Sequence, residues 1–237
     1  MSRFNRPLPK TSRAIRAFDK GAFADANISK VISILRTKSR KWNPPVMNLE
    51  ETHGGDPFRI LISTILSLRT RDETTAAASR RLFAEAKTPR AIISLGEKTV
   101  QKLIYPVGFY RTKAANIIKL CKRLENERGG EVPDTIDELL DFDGVGRKTA
   151  NLVVTLGYGK PGICVDIHVH RISNRLGYVR TKTPEKTEFA LREKLPGKYW
   201  IEYNGLLVAF GQTICKPISP KCDVCPVSKW CMRVGVK

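Results

Sequence analysis

The sequence contains no apolar stretch close to the roughly 20 residues that a membrane-spanning helix requires. Its N-terminus is basic and mixed in character, without the apolar core of a secretory signal peptide. No segment alternates apolar and polar residues as a half-buried strand does, and there is no repeat or low-complexity tract. We therefore expect neither a membrane protein nor a secreted one, and we predict an all-α fold with short loops.

Acidic residues are also scarce. The chain has 23 Asp and Glu against 42 Lys and Arg, which gives a formal net charge of +19 and a pI of about 9.9. This excess is far larger than solubility requires, and it is typical of proteins that bind a polyanion. The other interpretation is a basic protein from an unusual cytoplasm, and charge favours nucleic acid as the partner.

Cysteine is rare outside one short segment. Of the six cysteines, Cys121 and Cys164 stand alone, and four share the spacing C-x6-C-x2-C-x5-C: Cys215, Cys222, Cys225 and Cys231. This grouping indicates a metal centre rather than a disulfide framework, and we expect a reducing, intracellular compartment. From spacing alone, zinc and a [4Fe–4S] cluster both remain possible.

Helical periodicity accounts for most of the chain. Residues 1–25 are expected to form a mobile basic arm, or a solubilising tail. The helix from Pro57 to Leu68 is apolar almost all round, which predicts a place in the middle of a core. The other predicted helices are 28–42 (ended by Asn43-Pro44-Pro45), 73–86, 89–94, 97–104, 113–128 (ended by Gly129), 133–140, 183–194 and 201–215.

The most informative stretch is residues 139–171, where Gly144 and Gly146 flank Val145 between two helical segments. A compact helix–Gly-x-Gly–helix hairpin is a phosphate-binding unit, because free amides and the positive end of the second helix face the same way. Lys148 lies just inside this second helix, beside the expected phosphate, which is an unusual position for a simple surface charge. Asp166 follows eighteen residues later, and its other possible role is to cap the helix that begins there.

The cysteine segment also contains a basic loop. Residues 216–221 have prolines at both Pro217 and Pro220, which makes the loop stiff. Lys216 and Lys221 are therefore expected to press against a phosphate backbone.

Taken together, these motifs resemble the endonuclease III family within the helix-hairpin-helix glycosylase superfamily. The resemblance is carried by LLDFDGVGRKTA at 139–150, VDIHVHR at 165–171 and the cysteine signature, with shorter similarities at 65–72 and 107–118. It implies a base-excision-repair glycosylase and AP lyase acting on oxidised pyrimidines in duplex DNA. It also implies a [4Fe–4S] cluster rather than zinc on the four cysteines.

The fold implied by the resemblance has two helical lobes with a DNA-binding cleft between them. A six-helix barrel at 51–160 contains the hairpin at 139–155, and a discontinuous iron–sulfur cluster lobe combines 26–50 with 161–237. A monomer is expected, bound to double-stranded DNA with a damaged base or an abasic site.

The resemblance also assigns roles to individual residues. Lys148 would attack the anomeric carbon of a flipped nucleotide and form a Schiff base, and Asp166 would stabilise the positive charge that develops on the sugar. The hairpin residues Gly144, Val145, Gly146 and Arg147 would hold the DNA backbone.

Two expected DNA-probing positions depart from the family's usual residues. Arg69 stands where glutamine commonly fills the gap left by the flipped base, and Phe109 stands where leucine commonly acts as a wedge. Arginine can hydrogen-bond guanine O6 and N7, and phenylalanine can stack inside the helix. The opposite-base preference is therefore left open.

Three alternatives remain at this stage. One is a mismatch-specific thymine or adenine glycosylase, although adenine-specific relatives typically lack the hairpin lysine. Another is a noncatalytic DNA-binding protein that uses the hairpin alone. A zinc-stabilised RNA-binding protein has only the charge and the cysteines in its favour.

Overall fold

The computed structural model describes residues 26–42 and 54–236, and within these ranges the chain is helical and contains no strand, as predicted. The basic arm at 1–25 and the proline stop at 43–45 lie outside them. No helix in these ranges is long and apolar enough to cross a membrane. The α-helices are α1 (Asn27–Ser39), α2 (Pro57–Ser67), α3 (Asp72–Glu85), α4 (Pro89–Ile104), α5 (Tyr110–Arg128), α6 (Ile136–Leu140), α7 (Arg147–Leu152), α8 (Ile167–Leu176), α9 (Pro184–Lys194) and α10 (Trp200–Thr213).

Several helices begin at a side-chain cap. Asp56 accepts a hydrogen bond from the amide of Arg59 at the start of α2. Thr88, Thr135 and Thr183 accept bonds in the same way at the starts of α4, α6 and α9. Each cap satisfies an amide that has no partner within its helix, and the prolines after three of these caps need no such partner. These local signals explain why the predicted starts lie close to the observed ones.

Some helix ends shift by a few residues from the prediction: α1 ends at Ser39 rather than at 42, and α5 and α6 begin at Tyr110 and Ile136 rather than at 113 and 133. The predicted break between 89–94 and 97–104 is confirmed, because Gly96 within α4 has a φ of +73° and a ψ of 160°, which are not helical. Helix α7 continues without a break into a π-helical turn, Val153–Gly157.

The apolar side chains form two separate cores. One core is built from residues between Phe58 and Val154, and α2 lies at its centre with side chains buried on every face. The second core combines residues 28–35 with residues 163–227. The prediction that the apolar helix occupies the middle of a core is confirmed.

The second core joins distant parts of the chain. Helix α1 packs against α10, and Arg36 forms a salt bridge with Glu202 at 2.6 Å across 166 residues of sequence. Trp42 stacks on Phe210 with ring centroids 5.9 Å apart. The chain thus leaves this core after α1, builds the other core, and returns through α8.

Candidate active site and cluster-binding loop

A cleft with a volume of about 590 Å³ runs between the two cores. Its walls come from α2 and the loop after it, from the start of α7, from the start of α8 and from α10. This volume lies within the range of small-ligand sites and would hold a nucleobase with its sugar. Lys148 and Asp166, predicted from sequence to act together, both line this cleft.

Lys148 is the second residue of α7, so it lies at the positive end of that helix. Its side chain is half-buried. Among the described residues its ammonium group has no hydrogen-bond or ion-pair partner, although exposed lysines elsewhere pair with carboxylates, as Lys160 does with Asp134. The amine is therefore available to a group that enters the cleft.

Asp166 is the N-cap of α8. One carboxylate oxygen, Oδ1, accepts hydrogen bonds from the amides of His168 at 2.9 Å and Val169 at 2.8 Å. The other oxygen, Oδ2, has no hydrogen-bond partner in the described part of the chain. The capping role is confirmed, and it uses only one oxygen, so the second remains available to the cleft.

The hairpin tip is more restricted than the sequence suggested. Gly144 has φ of +83°, a conformation that favours glycine, and both Gly144 and Gly146 are exposed. Val145, however, is buried, and its amide donates to the carbonyl of Phe142 at 3.0 Å. This corrects the expectation that the Val145 amide faces outward, because it closes the turn. Gly144 and Gly146 are exposed, and their amides have no hydrogen-bond partner among the described residues.

Arg147 is also held internally. Its guanidinium donates to both carboxylate oxygens of Glu188 on α9, at 2.8 and 2.6 Å. Glu188 is 2% exposed and also accepts from Asn151 and Arg192. Burial alone would raise the pKa of Glu188, but the hydrogen bonds from Arg147, Asn151 and Arg192 hold it below its ordinary value. The sequence did not identify this ion pair between the two cores.

The two expected DNA-probing residues lie side by side. Arg69 follows α2 and Phe109 precedes α5, yet the Arg69 guanidinium carbon is 5.7 Å from the centre of the Phe109 ring. Both side chains are exposed, Phe109 by 63%. Arg69 belongs to the lining of the cleft. The tertiary structure thus brings together two positions 40 residues apart in the sequence.

Polar residues outside the predicted site also line the cleft. Gln212 of α10 donates to Asp72 at the start of α3 with a distance of 2.7 Å, which connects the two cores. His168 faces the same space, and burial lowers its pKa below the ordinary 6.5. Its Nδ1 lies 3.1 Å from the guanidinium of Arg171. His168 therefore takes part in a hydrogen bond within its own helix.

Behind α8, the four clustered cysteines line a single cavity: Cys215, Cys222, Cys225 and Cys231. Among the described residues no group of three or more His, Cys, Asp or Glu side chains is arranged to hold a single metal ion. Burial raises the pKa of Cys225 to about 11, with a smaller contribution from the repulsion between its thiolate and those of the three other cysteines. An iron–sulfur group supplies the positive charge that offsets this repulsion.

Arg175 supports the same cavity from α8. Its guanidinium donates to the sulfur of Cys215 at 3.5 Å, and to the carbonyls of Lys216 at 2.6 Å and Pro217 at 2.8 Å. Hydrogen bonds to a ligand sulfur and to the adjacent backbone are typical of thiolate-bound clusters. The donor set and its surroundings therefore fit an iron–sulfur cluster.

The basic loop at 216–221 projects from this cavity. Lys216 and Lys221 are exposed, as expected, and the amide of Lys221 donates to the carbonyl of Ile214 at 3.0 Å. This bond and those from Arg175 fix the backbone that carries both lysines.

Comparison with known proteins identifies the family. The family model described as "HhH-GPD superfamily base excision DNA repair protein" matches residues 62–197. A second, described as "Iron-sulfur binding domain of endonuclease III", matches residues 215–231, which begin and end at the outer cysteines of the cluster.

Individual relatives agree with this. Endonuclease III of Thermotoga maritima is 50% identical over 176 residues, which cover 74% of this chain and 83% of the relative. Among solved structures, a non-covalent endonuclease III–DNA complex is 33% identical with a TM-score of 0.78, covering 88% of this chain and 95% of the other. A thermostable thymine-DNA glycosylase is 28% identical with a TM-score of 0.75, covering 87% and 96%.

These matches agree with the hairpin, the cleft and the cysteine cavity, and they set aside both the noncatalytic and the zinc-protein alternatives. The chain binds DNA and carries a [4Fe–4S] cluster. It belongs to the endonuclease III family of the HhH-GPD superfamily and is a DNA glycosylase and AP lyase of base excision repair.

Proposed function

We propose that the chain removes oxidised pyrimidines from duplex DNA and then cleaves the abasic site by β-elimination, with Lys148 as the nucleophile and Asp166 as its acidic partner. One observation carries this proposal: within the described ranges the Lys148 amine and one Asp166 carboxylate oxygen have no partner, and both residues line the same cleft. A base in a duplex must leave the stack to reach such a cleft.

The chemistry follows from the two side chains. The Lys148 amine attacks the anomeric carbon of the flipped nucleotide, the base departs with the bonding electrons, and loss of the ring oxygen bond gives a protonated imine. A carboxylate or a water molecule cannot form that imine, which acidifies the adjacent C2′ proton for β-elimination. Oδ2 of Asp166 stabilises positive charge on the sugar and assists proton transfer to and from Lys148.

Other side chains bind and orient the substrate. The exposed amides of Gly144 and Gly146 and the positive end of α7 hold a phosphate beside the lesion. The Ser63 hydroxyl lines the cleft, is buried, and has no hydrogen-bond partner among the described residues, so it can bond a polar edge of the flipped base. Arg69 fills the gap and favours guanine, while Phe109 stacks against the neighbouring base pair.

The loop that carries Lys216 and Lys221 would add DNA contacts outside the cleft. We infer that the two cores correspond to a barrel lobe (51–160) and a cluster lobe (26–50 with 161–237). The cluster, held by the four cysteines, fixes the loop whose Lys216 and Lys221 contact phosphates away from the lesion. Arg147, being paired with Glu188, contributes by fixing the start of α7. We further propose that the protein acts as a monomer on double-stranded DNA inside the cell.

Borohydride trapping tests the nucleophile. Sodium borohydride added during turnover on a thymine glycol duplex reduces the imine, so the parent protein should form a covalent protein–DNA adduct. Lys148→Gln should form none, while Lys102→Gln, which alters an exposed lysine of α4 outside the cleft, should match the parent. An undiminished adduct from Lys148→Gln would refute the assignment.

A second candidate substrate is a mismatched thymine, since the chain is similar to a thymine-DNA glycosylase over most of both chains. Base release from T:G and A:oxidised-guanine duplexes, measured beside thymine glycol, distinguishes the three substrates. Faster release from T:G than from thymine glycol would favour the mismatch activity.

A further inference from the structure

Two short loops carry the expected DNA-probing side chains in a conformation that non-glycine residues rarely adopt. Arg69 has φ of +54° and Phe109 has φ of +58°, both in the left-handed region. Neither residue is an asparagine or an aspartate, the residues that tolerate this region best after glycine. Such backbone conformations persist only where surrounding contacts enforce them, and they are concentrated at functional sites.

The contacts that enforce them connect the two loops to each other. The amide of Gly108 donates to the hydroxyl of Thr70 at 3.1 Å. The backbones approach so closely that a Cβ atom at Gly108 would lie 2.8 Å from the carbonyl oxygen of Arg69. Arg69 precedes Thr70 in the chain and Phe109 follows Gly108, so each probing residue is next to one of the two residues that form the hydrogen bond.

Lys113 forms hydrogen bonds with both of these loops. Its ammonium donates to the carbonyls of Leu66 at 2.7 Å and Leu68 at 2.6 Å, and to the hydroxyl of Thr70 at 3.2 Å. These three bonds use all three ammonium donors. The amide of Lys113 also donates to the carbonyl of Phe109 at 2.9 Å, so one residue contacts both loops.

Burying the charge of Lys113 is energetically unfavourable. Lys113 is 7% exposed and forms no salt bridge with any described carboxylate. Burial lowers the pKa of Lys113 to about 8. Buried lysines are normally paired with an acid, whereas this one is bonded entirely to the end of α2 and the loop that presents Arg69. The negative end of the α2 dipole favours the charge there.

We propose that Lys113 and Thr70 are positioning residues that hold Arg69 and Phe109 together as a single DNA-probing unit. Displacement of one side chain is then transmitted to the other through the Thr70–Gly108 bond. Gap filling and wedging therefore occur together, and opposite-base discrimination depends on residues that do not touch DNA. The inference rests on the probing roles proposed above for Arg69 and Phe109.

A matched pair of substitutions at Thr70 tests the connection. Thr70→Val removes the hydroxyl but keeps the shape, and Thr70→Ser keeps the hydroxyl. Arg69→Ala and Phe109→Ala are combined in the parent and in each of these backgrounds. Single-turnover rates are then measured for one lesion opposite guanine and opposite adenine, and each rate is corrected for the active fraction by borohydride trapping.

The measured quantity is the ratio of the rate opposite guanine to the rate opposite adenine. In the parent and in Thr70→Ser, the effect of the combined alanine substitutions on this ratio should differ from the product of the two single effects by about fivefold or more. In Thr70→Val they should become additive to within about twofold. Lys113→Met should also abolish the coupling, and Lys113→Gln, which retains two donors, should restore part of it. A merely structural role would lower thermal stability without changing the coupling.

The possible failures are distinguishable. One failure is that Arg69→Ala and Phe109→Ala each change the guanine-to-adenine rate ratio and remain non-additive in Thr70→Val. That result would overturn the positioning role and leave the probing roles intact. If neither alanine substitution changes discrimination, the probing roles fail and the positioning role fails with them. The assignment of Lys148 is tested separately by the trapped adduct.

Discussion

Arg147 and Glu188 form a bidentate salt bridge between the helix that carries Lys148 and helix α9 of the other core, with distances of 2.8 and 2.6 Å. The arginine immediately precedes Lys148, so the bond fixes the first turn of α7. Glu188 in addition accepts from Arg192 at 3.0 Å and from Asn151 at 3.2 Å. The start of the helix that carries Lys148 is therefore held by a buried carboxylate that is hydrogen-bonded, among the described residues, to neither Lys148 nor Asp166.

Replacing Glu188 with glutamine should destabilise both the fold and the active site. The change leaves two arginines beside a buried neutral amide, and we expect the free energy of unfolding to fall by on the order of 3 kcal/mol. Lys148 should also lose its fixed position, so the yield of trapped adduct should fall at temperatures where the variant stays folded. Denaturant unfolding and borohydride trapping measure the two effects.

Glu193→Gln is the matched control, because Glu193 is an exposed acid on the same helix. Its unfolding and trapping should match those of the parent. Equal effects of the two substitutions would show that the Arg147–Glu188 bond has no special role.

Two substitutions of Asp166 should separate its capping role from its catalytic role. Asparagine is as good an N-cap as aspartate, so Asp166→Asn should keep the stability of α8 while the glycosylase rate falls by at least about a hundredfold. Asp166→Ala should show the same loss of rate and also lose about 1 kcal/mol of stability. Thermal unfolding and single-turnover rates provide the comparison. Wild-type activity in Asp166→Asn would contradict a catalytic carboxylate.

Stability should decrease in mild acid because of two histidines. Burial lowers the pKa of both His168 and His170 below 6.5 in the folded chain. The unfolded chain therefore binds protons first as the pH falls below about 6.5, which favours unfolding until the folded histidines titrate as well. These histidines should contribute no slope to the free energy of unfolding between pH 7 and about pH 6.5, and the free energy should decline below that value.

Chemical denaturation between pH 7 and pH 5 measures this dependence. His170→Gln, which removes one of the titrating rings, should flatten the decline. An unchanged slope in that variant would assign the effect to other groups.

Arg175 should control retention of the cluster. Arg175→Met removes the hydrogen bond to the Cys215 sulfur and the two bonds that shape the loop. We expect cluster loss to become faster on the order of tenfold, followed as the decay of visible absorption in air. Lys229→Met changes an exposed cation of the same segment and should behave as the parent. Equal decay of the two variants would argue against this role.

Local signals were sufficient for most of the helices. Capping threonines before Pro89 and Pro184, and the left-handed Gly129 after α5, mark helix ends within a few residues. The predicted break before residue 97 lies where the backbone of Gly96 leaves the helical conformation, with φ of +73°. The hairpin was placed correctly, but the inward bond of the Val145 amide depends on how Phe142 is oriented.

Lys113 and Glu188, which support the site, were not predicted from the sequence, although each lies on an apolar face of its helix. Lys113 shares one face of α5 with the apolar residues Ile117, Leu120 and Leu124, and Glu188 shares one face of α9 with Leu191. A charged residue on an apolar stripe indicates a buried charge. The partner of such a charge cannot be found from the stripe, because it lies on another helix.

The sequence by itself determined the helical class, the hairpin with its lysine and aspartate, and the cysteine signature, because each depends on short-range spacing. Only the tertiary structure decided that Arg69 and Phe109 meet, that Lys113 and Thr70 hold them, and that Glu188 fixes the helix of Lys148. The hydrogen bonds among these contacts join residues that are 38, 41 and 43 positions apart in the sequence. Their geometry is set by how the helices of the two cores pack, and no local pattern of residues encodes it.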